Sequence, residues 1–318
     1  MLAGLLGGFS AFAAARPVLA ACWTKAELAA VPGEALPRHP KAADAFLKPA
    51  PAAALAPVTG ALAGIIRRVE PTDGEKMIAL TFDLCQTVSP IAGYDGSIVD
   101  YLRSQSVPAT FFAAGRWLET HPTRAAQLAA DRLFLLANHS FGHPDLHAAS
   151  AARVESEILM TEAALAATRD AAATACPATT STPPVRLFRF PYGSCTPSAV
   201  AAANAIGSVV IQWDVVSGDP DGTSAPAIER NVLPSVHPGS IVVMHANGRG
   251  THTAEALRTI VPKLRADGYR FVTVADLLRA GKPVVATACY VTHPGDTARY
   301  DAKVAHSAPA QASPAKRL

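Results

Sequence analysis

The stretch Met77-Ile78-Ala79-Leu80-Thr81-Phe82-Asp83 decides the fold. It is a short, almost continuous apolar run closed by a carboxylate, the pattern of a strand covered on both faces. Similar runs lie at 109–113, 133–138, 186–190, 209–214, 240–245 and 270–274, with the first strand itself placed at 77–82. Helical periodicity fills gaps between them: Ile98, Tyr101 and Leu102 share a face within 97–105, as do Val154, Ile158, Leu159 and Leu165 within 151–168. Leu257, Ile260, Val261 and Leu264 do the same within 253–266, and Gly268 stops that helix before Phe271 restarts a strand. Strand and helix in alternation predict parallel strands with helical crossovers. Seven strand–helix repeats are one short of the usual closed barrel, which favours an incomplete or distorted α/β barrel over an open doubly wound sheet. No glycine fingerprint for a dinucleotide or triphosphate follows the first strand.

In such a barrel, functional groups gather at the carboxyl ends of the strands. Asp83 closes the first strand, His139 and His143 follow the third, and Arg189 and Tyr192 follow the fourth. Asp214 ends the fifth and His245 the sixth, with Asn247 and Arg249 just beyond. Two histidines four residues apart can face one ion, and imidazole suits zinc and its divalent neighbours. His147 continues the spacing, but Pro144 interrupts the turn, so His147 is read as a surface residue or a substrate contact. Each residue also has a plainer reading. Asp83 could cap a turn, Arg189 could be an ordinary buried ion-pair member, and His245 could be a satisfied core histidine.

A chain of 318 residues, 50% hydrophobic, can bury a substantial core. Its net charge is only +3 and its Lys and Arg are scattered, which argues against a nucleic-acid partner. Residues 1–21 are apolar or small apart from Arg16 and read as a signal peptide rather than a transmembrane span. The protein is therefore expected to be exported, as a periplasmic, secreted or cell-surface protein. Leu19-Ala20-Ala21-Cys22 also resembles a lipobox, which would put a lipid anchor on Cys22. Residues 22–75 read as an Ala/Pro-rich segment, 76–280 as the domain, and 281–318 as a tail with a disordered end. If Cys22 is removed or acylated, four cysteines remain, and pairing Cys85 with Cys195 and Cys176 with Cys289 would keep each bridge on one face of the barrel; free thiols are the alternative.

The order and spacing of T-F-D at 81–83, H-S-x-x-H at 139–143, R-F-P-Y-G at 189–193, W-D-x-x-x-x-D at 213–219 and M-H at 244–245 resemble the polysaccharide deacetylases, the NodB homology domains of carbohydrate esterase family four, over roughly residues 76–280. The resemblance implies an irregular (β/α)7 barrel and metal-dependent removal of N-acetyl groups from amino sugars. It makes Asp83 the general base and His139 and His143 metal ligands. Arg189 would hold Asp83, the backbone N–H of Tyr192 would face the oxyanion, and His245 would protonate the leaving amine. The metal would be zinc, with cobalt, nickel or manganese as alternatives, and the substrate partner an acetylated polysaccharide such as peptidoglycan or a chitin-like glycan.

The chain departs from the pattern in two places. The family aspartate that binds metal falls at Leu84, leaving Asp83 itself, Asp95, a Cys85 thiolate or water to complete the coordination, with Asp95 or water preferred. Val216 and Pro220 stand where the family has an aspartate and a tryptophan. Asp214 or Asp219 would then tune the acid imidazole, and Trp213 is the candidate for the acetyl pocket. Asn247 and Arg249 are candidate sugar contacts. The leading expectation is a hydrolase of carbon–nitrogen amide bonds. Its rivals are a degenerate glycan-binding barrel and a hydrolase of other small linear or cyclic amides.

Overall fold

The computed structural model describes residues 18–41, 49–177 and 185–289. Its strands are β1 (Ile65–Pro71), β2 (Met77–Leu84), β3 (Ala109–Ala113), β4 (Phe134–Asn138), β5 (Arg186–Phe188), β6 (Ser208–Ile211), β7 (Val215–Val216), β8 (Ile241–His245), β9 (Arg270–Phe271) and β10 (Gly281–Ala286). Its α-helices are α1 (Lys25–Leu28), α2 (Gly96–Ser104), α3 (Gly115–Thr120), α4 (Pro122–Ala130), α5 (Ala151–Ala175), α6 (Pro197–Ala205), α7 (Ala225–Val232), α8 (Thr253–Ala266) and α9 (Val274–Ala280). The strands form a 10-stranded sheet in the order β10-β1-β6-β5-β4-β3-β2-β8-β7, with β9 pairing β2. Every pairing from β1 to β7 is parallel, and only β10 runs antiparallel, against β1. This is the irregular α/β barrel expected from the alternation of runs.

β2 shows why the sheet holds. Its residues are buried throughout. Ile78, Leu80, Phe82 and Leu84 pack outward with Trp117, Leu257 and Ile260 under the helices. Met77 and Ala79 face inward with Phe112, Val243 and Val272. Successive side chains of a strand alternate between faces, so one strand joins both layers. Helix α8 ends as its sequence requires: Gly268 adopts φ 85°, and Tyr269 N–H returns to the Leu264 carbonyl.

The structure corrects several boundaries. Residues 65–71, expected to be part of an extended surface segment, form β1; the adjacent Arg67 and Arg68, only half-buried, hide its apolar alternation. Residues 281–286, expected to begin a tail, form the strand paired with β1. The last expected strand is shorter, because Thr273 accepts the Asp276 N–H and opens α9 at Val274.

The disulfides differ too. Cys22 pairs with Cys176 and Cys195 with Cys289, while Cys85 is a buried free thiol. A Cys22 sulfur held in a disulfide is not available to carry a lipid. Leu19 is buried beside Ala126, Ala130 and Ala172, so the residues just before Cys22 pack against the domain. Most of the expected signal peptide (residues 1–17), the middle of the Ala/Pro-rich segment (42–48) and the expected disordered end (within 290–318) lie outside the described residues. No helix among the described residues is long and apolar enough to cross a membrane.

Candidate active site and metal centre

β2 and β8 place two titratable groups side by side: Asp83 and His245 are direct partners in their parallel register. Asp83 is not the cap of a turn; it lies within β2, pointing inward. Its Oδ1 accepts from Arg189 Nη1 at 2.8 Å, and its Oδ2 lies 3.5 Å from His139 Nε2. Arg189 is fully buried, also donates to Thr81 Oγ1 at 2.8 Å, and sits 3.9 Å from the centroid of Phe112. Burial works against ionised Asp83, but the charges of Arg189, His139 and His245 outweigh it and hold the carboxyl below its usual range.

The H-S-F-G-H segment is a loop, not a turn of helix. Ser140 and His143 adopt φ of 64° and 54°, a region that non-glycine residues occupy at a cost. A buried carboxylate compensates: Glu157 on α5 accepts the Phe141 and Gly142 N–H groups at 2.9 and 2.8 Å. Asn138 Oδ1 accepts the Ser140 N–H and Ser140 Oγ the His143 N–H. His139 Nδ1 meets the Arg189 carbonyl at 3.0 Å, which directs Nε2 into the site. Burial lowers the His139 pKa, favouring the neutral ring that ligates metal. His143 stacks edge-on against both His139 and Tyr192. His147 is exposed.

On the opposite wall, His245 Nδ1 meets Asp219 Oδ1 at 2.9 Å. Asp219 is itself fixed by Ser217 Oγ, Thr253 Oγ1 and the His245 backbone N–H. Burial opposes protonation of His245, yet Asp219 raises its pKa well above the ordinary value. Asp214 does not share this role. Its carboxylate accepts from Ser240 Oγ at 2.9 Å and from Ile241 N–H at 2.8 Å, and faces His237 at 3.0 Å. Ile241 opens β8 and His245 closes it, so the two ends stand roughly 13 Å apart at the rise of a strand.

Cys85 lies beside this constellation. Its Sγ is 3.6 Å from His139 Nε2. Burial raises the thiol, but His143 and His245 bring it down to about 6. Ligand atoms of Cys85, His139 and His143 all lie within 4.8 Å of one another, as do those of Asp83, Cys85 and His245. Leu84 faces away, buried among apolar side chains of the outer layer. Asp95 is also turned elsewhere, accepting the Gly248 N–H at 2.7 Å, and burial pushes it up to about 6.

The expected substrate contacts are spread around the rim. Tyr192 adopts φ 59° and its hydroxyl approaches the His143 carbonyl at 3.4 Å. Trp213 is buried 5.3 Å from the Arg189 guanidinium, and its Nε1 has no partner among the described residues. Asn247 Nδ2 donates to the Cys85 carbonyl at 3.0 Å, while its buried Oδ1 likewise has no partner. Arg249 is exposed. Sequence reasoning missed Glu157, Ser217 and Thr253, whose roles depend on contacts between distant segments. Cys85 was more accessible, since it continues the inward alternation of Thr81 and Asp83.

Residues 70–211 match the family model for polysaccharide deacetylases. The peptidoglycan-N-acetylglucosamine deacetylase of Bacillus cereus is 30% identical over 207 residues, covering 64% of this chain and 69% of that protein. A chitooligosaccharide deacetylase of Rhizobium leguminosarum bv. trifolii is 30% identical, covering 63% and 91%. The crystal structure of a peptidoglycan N-acetylglucosamine deacetylase bound to a naphthalenyl N-oxidanyl-benzamide is similar at a TM-score of 0.58 and 26% identity, over 69% of this chain and 95% of that one. A family-four pseudoenzyme from Bacillus anthracis gives a TM-score of 0.56 at 26% identity, over 70% of each chain. On these similarities, the chain belongs to the polysaccharide deacetylase family.

Proposed function

We propose that this protein is an exported, metal-dependent hydrolase of carbon–nitrogen amide bonds that removes N-acetyl groups from a cell-wall or chitin-like polysaccharide. The adjacency of Asp83 and His245 across β2 and β8, with His139 and His143 beside Asp83, carries the reading. Relatives that act on peptidoglycan N-acetylglucosamine and on chitooligosaccharide support the substrate class. The apolar start of the chain and the two disulfides support export.

His139 and His143 would hold the ion, and their donor atoms fit zinc or a similar divalent metal. A bound ion of this kind would polarise the acetyl carbonyl and acidify water. Asp83, kept ionised by Arg189, takes the proton from the attacking water. The backbone N–H of Tyr192 faces the developing oxyanion and needs no reorganisation to do so. His245, oriented by Asp219, delivers a proton to the departing nitrogen, which an amide requires because an amide anion does not leave. Trp213, Asn247 and Arg249 are the candidate contacts to the acetyl group and sugar.

Acetate release from N-acetylglucosamine oligomers and from peptidoglycan, with zinc, cobalt, nickel or manganese added, tests this directly. His245→Ala should lose most turnover and keep the metal; unchanged turnover would remove His245 as the acid. The likeness to a pseudoenzyme, together with Leu84 at the family's aspartate position, makes a non-catalytic glycan-binding barrel the second reading. Binding of chitooligosaccharide without acetate release under every metal would establish that reading instead. Turnover only of small linear or cyclic amides would displace the sugar.

A further inference from the structure

We infer that Cys85 is the third protein ligand of the metal held by His139 and His143, binding as a thiolate to make a Cys-His-His centre. The inference rests on the metal-dependent reading above and names what completes its coordination.

Three observations carry it. Strand geometry comes first: Thr81 and Asp83 point into the site, and Cys85 is the next residue on that face, whereas Leu84 is directed into the outer core. A ligand carried just beyond the end of β2 therefore falls at 85, not 84. Distance comes second. Metal–sulfur and metal–nitrogen bonds of about 2.3 and 2.0–2.1 Å, at a tetrahedral angle, set sulfur and nitrogen about 3.6 Å apart. The Cys85 Sγ to His139 Nε2 separation is 3.6 Å. Orientation comes third: the Arg189 carbonyl occupies His139 Nδ1, so the Nε2 lone pair is the one aimed at the sulfur.

The surroundings fit the assignment. The other four cysteines are in disulfides, leaving Cys85 alone with its sulfur uncommitted. Asn247 Nδ2 fixes its backbone carbonyl from the β8 side. Of the rival carboxylates, Asp95 is taken up by the Gly248 N–H, and Asp83 gives its Oδ1 to Arg189, the pairing that keeps it ionised. Asp83 thus stays available as base while a different residue binds the ion. A thiolate also makes the centre softer than an all-nitrogen-and-oxygen set, favouring zinc and cobalt over manganese or magnesium.

Cobalt(II) spectroscopy on the full chain, stripped of metal by chelation with its disulfides intact, tests the assignment without relying on turnover. One equivalent of cobalt should produce an intense near-ultraviolet sulfur-to-cobalt charge-transfer band. Cys85→Ser should abolish that band and weaken cobalt binding by more than about tenfold, since even outer-shell partners of metal ligands are worth 10–100-fold. Cys85→Asp should regain affinity without the band, separating ligation from folding. Cobalt bound to the native chain with no such band would overturn the Cys85 assignment while leaving the metal-dependent reading intact. No cobalt or zinc binding at all would overturn both.

Discussion

The imidazole of His245 can serve as an acid only if something keeps it protonated and pointed, and both tasks fall to Asp219. Its two oxygens receive the ring Nδ1, the backbone N–H of the same histidine, Ser217 Oγ and Thr253 Oγ1. Asp219→Asn keeps the size but loses the charge and confuses the ring tautomer. Initial rates of acetate release should show kcat lower by about 10²-fold or more, the worth of a positioned acid, with KM little changed; equal loss in KM would instead mean a disturbed substrate pocket. Asp95 offers a separate test, through stability. Burial raises its folded pKa to about 6, above the roughly 3.9 of an unfolded aspartate. A carboxyl raised on folding favours the native state when protonated, so its contribution is fully present below about pH 4 and is lost as pH climbs to about 6. Asp95→Asn retains the acceptor for Gly248 N–H and removes that loss. Denaturant titrations should therefore show the variant gaining about 2–3 kcal/mol relative to the native protein between pH 4 and pH 7. A difference that does not change with pH would contradict the buried, uncompensated charge.

β2 explains both what the sequence made legible and what it concealed. Its apolar run identified a buried strand, and the same reading located β3, β8 and helix α8 closely. The period of two also bears on position 84: Phe82 and Leu84 share the outer face, packed against residues such as Trp117. Leu84→Asp, although it restores the aspartate suggested by the family pattern, would bury an unpaired carboxylate. It should cost about 3 kcal/mol or more of stability and leave metal affinity no tighter, as thermal unfolding and a zinc titration would show. A tighter metal site in that variant would mean that residue 84 can turn inward. Features absent from the linear reading depend on partners far along the chain. The H-S-x-x-H loop holds its left-handed residues because Glu157 caps two of its amides from α5. β1 escaped notice because its two arginines break the apolar run and its pairing to β10 joins residues more than two hundred positions apart. Asp214 looked like a strand-end group by position alone; its hydrogen bonds to Ser240 and Ile241 put it at the opposite end of β8.

The two disulfides fasten both ends of the described chain to the barrel. Cys195–Cys289 ties the segment after β10 to the turn before α6, and Cys22–Cys176 ties the N-terminal segment to the end of α5. That segment bears on the site. Arg124 on α4 forks onto Glu34 at 2.6 and 2.9 Å and reaches the carbonyls of Glu27 and Ala29. The neighbouring Ala35 backbone presses on Gly93 and Gly248, where a Cβ would fall about 2 Å from its carbonyl oxygen, at 2.1 and 1.9 Å. Gly248 lies in the loop just after His245, so the N-terminal segment braces the wall that carries the acid. Removing Cys22–Cys176 should consequently loosen more than a terminus. The bridge spans 154 positions, for which loop-closure entropy gives an upper estimate of about 5 kcal/mol. The double variant Cys22→Ser/Cys176→Ser should unfold at lower temperature than the native protein. It should also exchange the Gly248 amide hydrogen faster, because Ala35 is no longer held against that turn. Unchanged exchange alongside a lower melting temperature would confine the bridge's role to chain entropy and detach the N-terminal segment from the site.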